Sequence, residues 1–250
     1  MITWRRCGIR IAEAWFDEPT PSGGIDLVYL IQRPVPEPGA LNQEFKTILL
    51  DLRRSEKDLR TGLKGNTRYE IRRAEKEGLS RESHSPGDGR ATMALCEFYN
   101  HFAAHKGISG IRHSDVVRYA SARMLDLSLC RDKSGKVIAW HSHIVTRGRA
   151  RLLHSASLLH EREDIEDRNI IGRANRYLHW KDILRFKAGG FAFYDFGGWY
   201  DGQTDKARIG INRFKKQFGG CVVREFNCQV THTLRGWMAS RIRRMRRGAE

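Results

Sequence analysis

The stretch Gly172–Tyr200, GRANRYLHWKDILRFKAGGFAFYDFGGWY, decides the fold. A helix is predicted from about Asn169, because large side chains recur on one side of it at helical spacing. These are Tyr177, Trp180, Leu184 and Ala188. Two glycines end this helix, and Phe191–Phe196 (FAFYDF) follows as a strand that is nearly all apolar, as a strand covered on both faces should be. A buried strand next to an amphipathic helix predicts a layered α/β arrangement.

The segments on either side of this stretch extend the same architecture. Three alternating segments precede it, joined by short KSGK and RGR turns, and they predict an antiparallel meander. They are Leu127–Cys130, Val137–Thr146 and Ala150–Leu158. A helix over Asp205–Gln217 and a strand over Cys221–Val230 follow the stretch. The predicted fold class is therefore α/β (α+β), with a central mixed, mainly antiparallel sheet.

The chain divides into three predicted parts. Residues 1–50 contain two short apolar strands and too little apolar sequence for an independent core, so they predict a partial N-terminal wing. Residues 51–230 form the main domain, and residues 231–250 form a basic C-terminal helix.

The charge balance points to polyanionic partners. The chain carries a formal net charge of +16, and the excess is concentrated in Arg53–Lys76 and Thr231–Glu250. The candidate contacts with tRNA or another polyanion are Arg68, Arg72, Arg73, Arg243 and Arg244. A merely solvated surface is the alternative reading of this charge.

The same composition argues against several locations. The longest charge-free run, Val137–Thr146, is half the length that a membrane-spanning helix needs, so no integral membrane segment is expected. The first residues lack the apolar region of a secretory signal, and the five cysteines are scattered. We therefore expect a cytoplasmic protein and leave peripheral attachment to the inner membrane face open.

Two segments carry residues suited to anion or transition-state binding. The loop and helix start in DRNIIGRANR place Arg168, Gly172, Arg173 and Ala174 where helix N–H groups would bind a diphosphate or carboxylate. In ARIGINRFKKQFGG, one helix face carries Arg208, Asn212 and Lys215, and a lysine there can stabilise a phosphate or an oxyanion. An ordinary capped helix and a solvated helix face are the respective alternatives.

Several other functions are not supported by the motifs. Asp195 and Tyr194 lie in YDFGG, but no glycine-rich loop or catalytic His-Arg-Asp accompanies it, so a kinase is excluded. Asp195 ends a buried strand, where either a site role or a role in bracing the loop is open. His141 and His143 share a strand face without a third metal ligand nearby in sequence, and we predict no metal.

The order of these motifs resembles the FemABX-type aminoacyl transferases of the GNAT superfamily. The resemblance rests on the basic helix of Thr47–Leu79, on YDFGG and on the FK-x-x-FGG pattern of Phe214–Gly220, and it covers roughly Thr47 to Val230. It implies a three-layer GNAT-like fold and acyl transfer to an amine. Members of the FemABX group use an aminoacyl-tRNA donor and a peptidoglycan precursor as acceptor, whereas other relatives use acyl-CoA.

The resemblance also assigns residues. Phe214 and Lys215 match the family's Phe-Lys pair, in which the lysine stabilises charge in the transition state, and DRNIIGRA lies where GNAT enzymes place their pyrophosphate loop. The spacing departs mildly from that loop, because Arg168 is four rather than three residues before Gly172. FemABX proteins contain two GNAT-like halves, whereas this chain has room for one and about fifty further residues.

The site residues and the resemblance together predict an N-acyltransferase that transfers an aminoacyl or acyl group to an amine. The resemblance implies a role in cell-wall biogenesis, with a cell-envelope precursor, an amino sugar or a peptide amine as the acceptor. Strand N–H groups at Ser155, Ala156 and Ser157 are expected to bind the acyl donor, with Lys215 and Phe214 as catalytic residues. Arg208, Asn212, Asp195 and Tyr194 are expected to contact the acceptor or a phosphate. Aminoacyl-tRNA or acyl-CoA would be a co-substrate, with no bound cofactor. The alternatives are an acetyl-CoA-dependent N-acetyltransferase and a non-enzymatic RNA-binding module, and a homodimer is left open.

Overall fold

The computed structural model describes residues 1–158 and 165–247, leaving aside the side chains of 165–168 and 243–247. Within these ranges there are ten strands: β1 Ile2–Arg6, β2 Ile9–Trp15, β3 Leu27–Arg33, β4 Leu41–Asp51, β5 Ser80–His84, β6 Leu125–Arg131, β7 Val137–Thr146, β8 Arg149–Ser157, β9 Phe193–Gly198 and β10 Cys221–Thr231. There are seven helices: α1 Glu56–Gly62, α2 Gly65–Lys76, α3 Gly89–Lys106, α4 His113–Ser121, α5 Ile165–Ala188, α6 Lys206–Lys216 and α7 Leu234–Arg247.

The chain forms two compact units whose limits differ from the predicted domains. The first unit combines Met1–Thr47 with Val222–Glu250, and the second is Ile48–Cys221. The strand β10 and the helix α7 group with the N-terminal segment, and β10 pairs with β3 across nearly two hundred residues of sequence. The division into a wing, a main domain and a C-terminal helix stays a prediction.

The first unit contains strands in the order β1-β2-β3-β10, followed by residues 41–47 of β4. The strands β2 and β3 are parallel, whereas β1 pairs with β2 and β10 pairs with β3 in antiparallel fashion. Its buried residues include Ala12, Val28, Leu30 and Cys228.

The second unit contains residues 48–51 of β4, followed by strands in the order β9-β8-β7-β6-β5. The strands β6 to β8 form the predicted antiparallel meander, β5 extends it by antiparallel pairing with β6, and β8 and β9 are parallel. The predicted mixed, mainly antiparallel sheet is confirmed. On one face of β7, Trp140 belongs to the same buried cluster as Leu95 of α3. The preceding residue, Ala139, lies on the opposite face, in the same cluster as Leu178 of α5. Helices on both faces give the predicted three layers, since successive strand residues point to opposite sides.

Local signals set several helix ends correctly. Ser55 caps α1 by accepting a hydrogen bond from the Asp58 backbone, and Asp205 caps α6 through the backbone of Arg208. Gly78, with a φ of +78°, follows the end of α2, where a left-handed residue is favoured.

Helix α5 differs from its prediction in two respects. It begins at Ile165 rather than near Asn169, and its buried side includes His179, Asp182, Ile183 and Phe186. Of the predicted apolar stripe, Tyr177 and Trp180 are buried, whereas Leu184 is half-buried and Ala188 is exposed. The reason is that polar residues of this helix are buried too, which hydrophobic periodicity cannot reveal.

Candidate active site

Lys215 lies in the last turn of α6 and reaches the end of β9. Its Nζ donates hydrogen bonds to the backbone oxygens of Gly197, at 3.2 Å, and Gly198, at 2.5 Å. Gly197 has a φ of +72°, and a Cβ there would come within 3.2 Å of the Leu152 carbonyl oxygen of β8. The glycine therefore lets the end of β9 turn close to β8, where it meets the lysine.

The electrostatic surroundings of Lys215 lower its pKa. Burial is the largest cause, the Arg151 guanidinium adds to it, and the Asp195 carboxylate opposes both, leaving the pKa at about 8 instead of 10.5. The ammonium group is therefore mostly charged at neutral pH, but it gives up its proton far more readily than a solvated lysine. Such a cation can donate hydrogen bonds to a developing negative charge.

The strands β8 and β9 part beside this lysine. They pair at three positions, Arg149 with Phe193, Ala150 with Tyr194 and Arg151 with Asp195. Beyond Arg151, the pairing described for β8 is with β7, and it continues to Ser157. In an antiparallel pair, alternate residues direct their backbone N–H and C=O groups away from the partner strand. Alternate backbone groups of β8 beyond Arg151 therefore point away from β7, and the donor-binding role of Ser155, Ala156 and Ser157 stays a prediction.

Phe214, the neighbour of Lys215, holds the end of α6 against the core. Its ring is half-buried, 5.5 Å from that of His179 and 5.4 Å from that of Phe218. The Arg176 guanidinium lies 5.2 Å from its ring centre. These contacts give Phe214 the role of positioning Lys215.

Asp195 and Tyr194 are fully buried, which does not fit direct contact with an acceptor. Asp195 accepts hydrogen bonds from the Arg149 guanidinium, at 2.5 Å, and from the Gly197 N–H, at 2.8 Å. It therefore braces the turn that Lys215 contacts, the alternative that the sequence left open.

The Tyr194 hydroxyl lies between His143 Nε2, at 3.0 Å, and His179 Nδ1, at 2.9 Å.

Asn212 and Arg208 have different surroundings although they share a helix with Lys215. Asn212 is buried, and its amide makes hydrogen bonds with both the N–H and the carbonyl oxygen of Tyr200. Arg208 is exposed and pairs with Asp205. A groove of about 590 Å³ runs beside them. Its lining includes Lys64, Trp199, Tyr200, Asp201, Ile209, Asn212, Arg213 and Lys216.

The predicted anion site at Gly172, Arg173 and Ala174 needs a correction. Since α5 begins at Ile165, these residues lie in its second and third turns, where backbone N–H groups bond within the helix. Arg173 is buried and its guanidinium donates to Glu77, at 2.7 Å, so it joins α5 to the end of α2. The side chain of Arg168 lies outside the described residues.

The predicted polyanion contacts are partly placed by the structure. Helix α2 buries Thr67, Ile71 and Ala74 and presents Arg72 and Arg73 to solvent, with Arg68 half-buried. The Arg73 guanidinium pairs with Glu77 at 2.8 Å. The side chains of Arg243 and Arg244 are outside the described residues.

A buried polar layer between the sheet and α5 was not predicted. Asp182 accepts hydrogen bonds from Arg81, at 2.8 Å, from Ser128, at 2.9 Å, and from His141 Nδ1, at 2.9 Å. Burial alone would raise the pKa of Asp182, but the His141 hydrogen bond and the nearby charges hold it below its usual range. Burial lowers the pKa of His143 to about 3, so that ring is neutral at pH 7.

This layer supplies the third residue that the His-x-His pattern lacked. Donor atoms of His141, His143 and Asp182 lie within 4.8 Å of one another, and all three residues are buried. These residue types can bind a metal ion. Here, however, the Asp182 oxygens already accept three hydrogen bonds, one of them from the Arg81 cation, whereas His143 Nδ1 is buried without a hydrogen-bond partner among the described residues. Asp182 lies four turns into a helix, and no local motif marks it.

Comparisons with known proteins show the fold. Neither protein-family profiles nor curated protein sequences gave a match. Among solved structures, FemX aligns with a TM-score of 0.60 at 14% identity over 73% of this chain, and this chain spans 61% of FemX. The C-terminal domain of an Agrobacterium fabrum protein described as a lysylphosphatidylglycerol synthetase aligns with a TM-score of 0.54 at 15% identity, covering 81% of this chain and 67% of that one.

L-PGS from Bacillus licheniformis aligns equally well, with a TM-score of 0.54 at 12% identity over 85% of this chain and 71% of that one. Among the described residues, no helix combines the length and apolar content needed to cross a membrane. The chain thus has the fold of FemX and of these synthetase domains, which confirms at the level of the fold the resemblance to FemABX-type transferases.

Proposed function

We propose that this protein is an N-acyltransferase that moves an aminoacyl or acyl group from an ester or thioester to an amine. The observation that carries the proposal is the position of Lys215, a lysine with a lowered pKa held where β8 and β9 part. FemX-like folds provide support at the level of architecture.

In the proposed reaction, the acceptor nitrogen attacks the donor carbonyl carbon in the gap beside β8. A tetrahedral oxyanion forms, and the Lys215 ammonium and strand N–H groups near Ser155–Ser157 donate hydrogen bonds to it. One well-placed donor of this kind is worth about 3–4 kcal/mol of transition-state stabilisation. Collapse breaks the bond to the leaving oxygen or sulfur, which takes up the proton that the amine loses. An amide and the free hydroxyl or thiol result.

An aminoacyl-tRNA is the donor that the charge distribution favours. Arg72 and Arg73 are exposed on one side of α2, and the sequence of this region is strongly basic. Each phosphate neutralised by such a cation contributes about −0.7 to −0.9 to the dependence of log affinity on log salt. An acyl-CoA remains the alternative donor, as its own phosphates suit the same cations.

A cell-envelope precursor or an amino sugar with anionic groups is the proposed acceptor. The groove beside α6 carries the cations of Lys64, Arg213 and Lys216 and the aromatic rings of Trp199 and Tyr200. Cations and aromatic rings together suit a phosphorylated sugar or nucleotide. Asn212 fixes the Tyr200 backbone and so gives this groove its shape.

A competition experiment tests the donor. A fluorescent, fully aminoacylated tRNA pool is bound to the protein at about 0.15 M salt, a level that weakens non-specific contacts. Deacylated tRNA and acetyl-CoA serve as competitors. We expect charged tRNA to bind in preference to deacylated tRNA and acetyl-CoA to compete weakly.

Two variants test whether tRNA binds at the exposed arginines of α2. Arg72→Gln should weaken tRNA binding, whereas Arg90→Gln, at an exposed arginine that begins α3, should not. Competition by acetyl-CoA alone would favour an acetyl-CoA-dependent enzyme. Equal binding of both tRNA forms, indifferent to Lys215→Met, would contradict the transferase and favour an RNA-binding module.

A further inference from the structure

Helix α7 packs on the first unit through its small residues. Gly236 and Ser240 are buried, and a Cβ at Gly236 would come within 2.0 Å of the Asp26 carbonyl oxygen. Thr233 fixes the start of the helix, since its hydroxyl donates to the Asp26 carboxylate at 2.8 Å and accepts from the Gly236 N–H at 3.2 Å. Only glycine fits this close approach, so the sequence fixes which side of the helix faces inward.

The large apolar side chains of α7 consequently face solvent. Leu234 is 71% exposed, Ile242 is 54% exposed, and Trp237 and Met238 are each 46% exposed. Their spacing of three and four residues places them on one side of the helix, which we call the outer face of α7. A folded protein does not gain stability by presenting four large apolar side chains to water, so this arrangement marks a contact surface.

The charges that α7 itself carries have one sign. Helix α7 contains six arginines and no acidic residue. Arg235 and Arg241 are exposed, and the Arg241 guanidinium lies 4.9 Å from the ring centre of Trp237. A helix with tryptophan and aliphatic side chains on one face and arginines around it has the composition of a helix that lies in the plane of a membrane surface.

We propose that the outer face of α7 docks this protein on an anionic lipid surface. The apolar side chains would enter the boundary between headgroups and acyl chains, while the arginines pair with anionic headgroups. A second copy of this chain fits less well, because it would bring two sets of arginines together. An RNA would leave Leu234 and Ile242 without apolar partners. This inference does not depend on the proposed transferase activity.

Vesicle flotation of the full chain tests the proposal. One set of vesicles contains phosphatidylcholine alone, and the other contains equal parts of phosphatidylcholine and phosphatidylglycerol. We expect the protein to float with the anionic vesicles and not with the neutral ones, and salt to weaken this binding. Trp237→Ser combined with Ile242→Ser should lower the binding constant for the anionic vesicles at least about tenfold. The reason is that two apolar side chains no longer transfer from water into the membrane.

A matched control separates docking through α7 from nonspecific adsorption of exposed apolar side chains to vesicles. Met93→Ser combined with Ile108→Ser removes two apolar side chains that are exposed to a similar extent outside α7, and vesicle binding should not change. Thermal unfolding of each variant checks that the fold is kept.

Three results would overturn the proposal: equal flotation with both kinds of vesicle, flotation with neither, or wild-type binding by the α7 double variant. Dimerisation in analytical ultracentrifugation that the α7 double variant abolishes would assign the face to a second copy instead.

Discussion

Two groups of titratable residues in the second unit differ in whether a substrate could reach them. The Asp182 layer, formed by Asp182, His141, His143, His179 and Tyr194, is fully buried, and its members bond with one another.

Lys215 is half-buried instead, and its hydrogen bonds go to the backbone oxygens of Gly197 and Gly198 beside the parting strands. Both groups contain shifted pKa values. A shifted pKa therefore marks a candidate site only when the group can also reach a substrate.

The largest expected effect comes from breaking the Asp182 layer. Asp182→Asn removes the charge that faces Arg81 and His141 and leaves a buried cation without its counter-ion, at a cost of about 3–5 kcal/mol in the free energy of unfolding. Urea unfolding measures it. Asp115→Asn, in a more exposed ion pair with Arg112, is the control and should cost less than about 1 kcal/mol. Similar losses in the two variants would show that the layer is not a special contributor to stability.

A smaller effect is expected at the groove beside α6, which Asn212 lines. Asn212→Ala removes both hydrogen bonds to the Tyr200 backbone, and the lost bonds should lower the free energy of unfolding by about 1–2 kcal/mol. The same variant should raise the KM for the acceptor, because the groove loses its shape. Arg208→Ala, at an exposed ion pair on the same helix, should leave unfolding nearly unchanged. An unchanged KM in Asn212→Ala would remove the groove from the account.

The smallest effect at neutral pH is expected at His154, on the other face of the sheet from α5. Burial lowers its pKa from 6.5 to about 4. Above pH 6.5 the ring is neutral in both folded and unfolded chains. Between pH 6.5 and 4 only the unfolded chain takes up the proton, so stability is lost as the pH falls.

His154→Gln, which can keep a hydrogen bond to Ser142, should flatten this acid decline while changing stability little at pH 7. The measurement is the free energy of unfolding as a function of pH. An equally steep decline in the variant would mean that the ring is protonated in the folded chain.

Sequence reasoning succeeded where the determinants are local. The bounds of Val137–Thr146 follow from the alternation within that segment and from the turns beside it, and they are confirmed. The cap at Ser55 and the left-handed Gly78 likewise depend only on neighbouring residues.

Long-range relations escaped sequence reasoning. The strand Ser80–His84 was not predicted, because SRESH has no apolar pattern, yet it forms an edge strand by pairing with β6. The strands Ile2–Arg6 and Ile9–Trp15 were not predicted either, although Ile9–Trp15 buries Ile11 and Trp15. Asp182 could not be paired with His141 because their contact joins residues 41 apart in sequence.

Turnover of the Lys215→Met variant measures how much this lysine contributes to acyl transfer. Donor consumption is followed with aminoacyl-tRNA or acetyl-CoA and a panel of amines, with Lys206→Met, an exposed lysine at the start of α6, as control. We expect Lys215→Met to lose about 100- to 1000-fold in turnover while keeping its unfolding temperature, because the oxyanion loses its cationic donor. Wild-type turnover in Lys215→Met, or no donor consumption by the wild-type protein with any amine, would contradict the account.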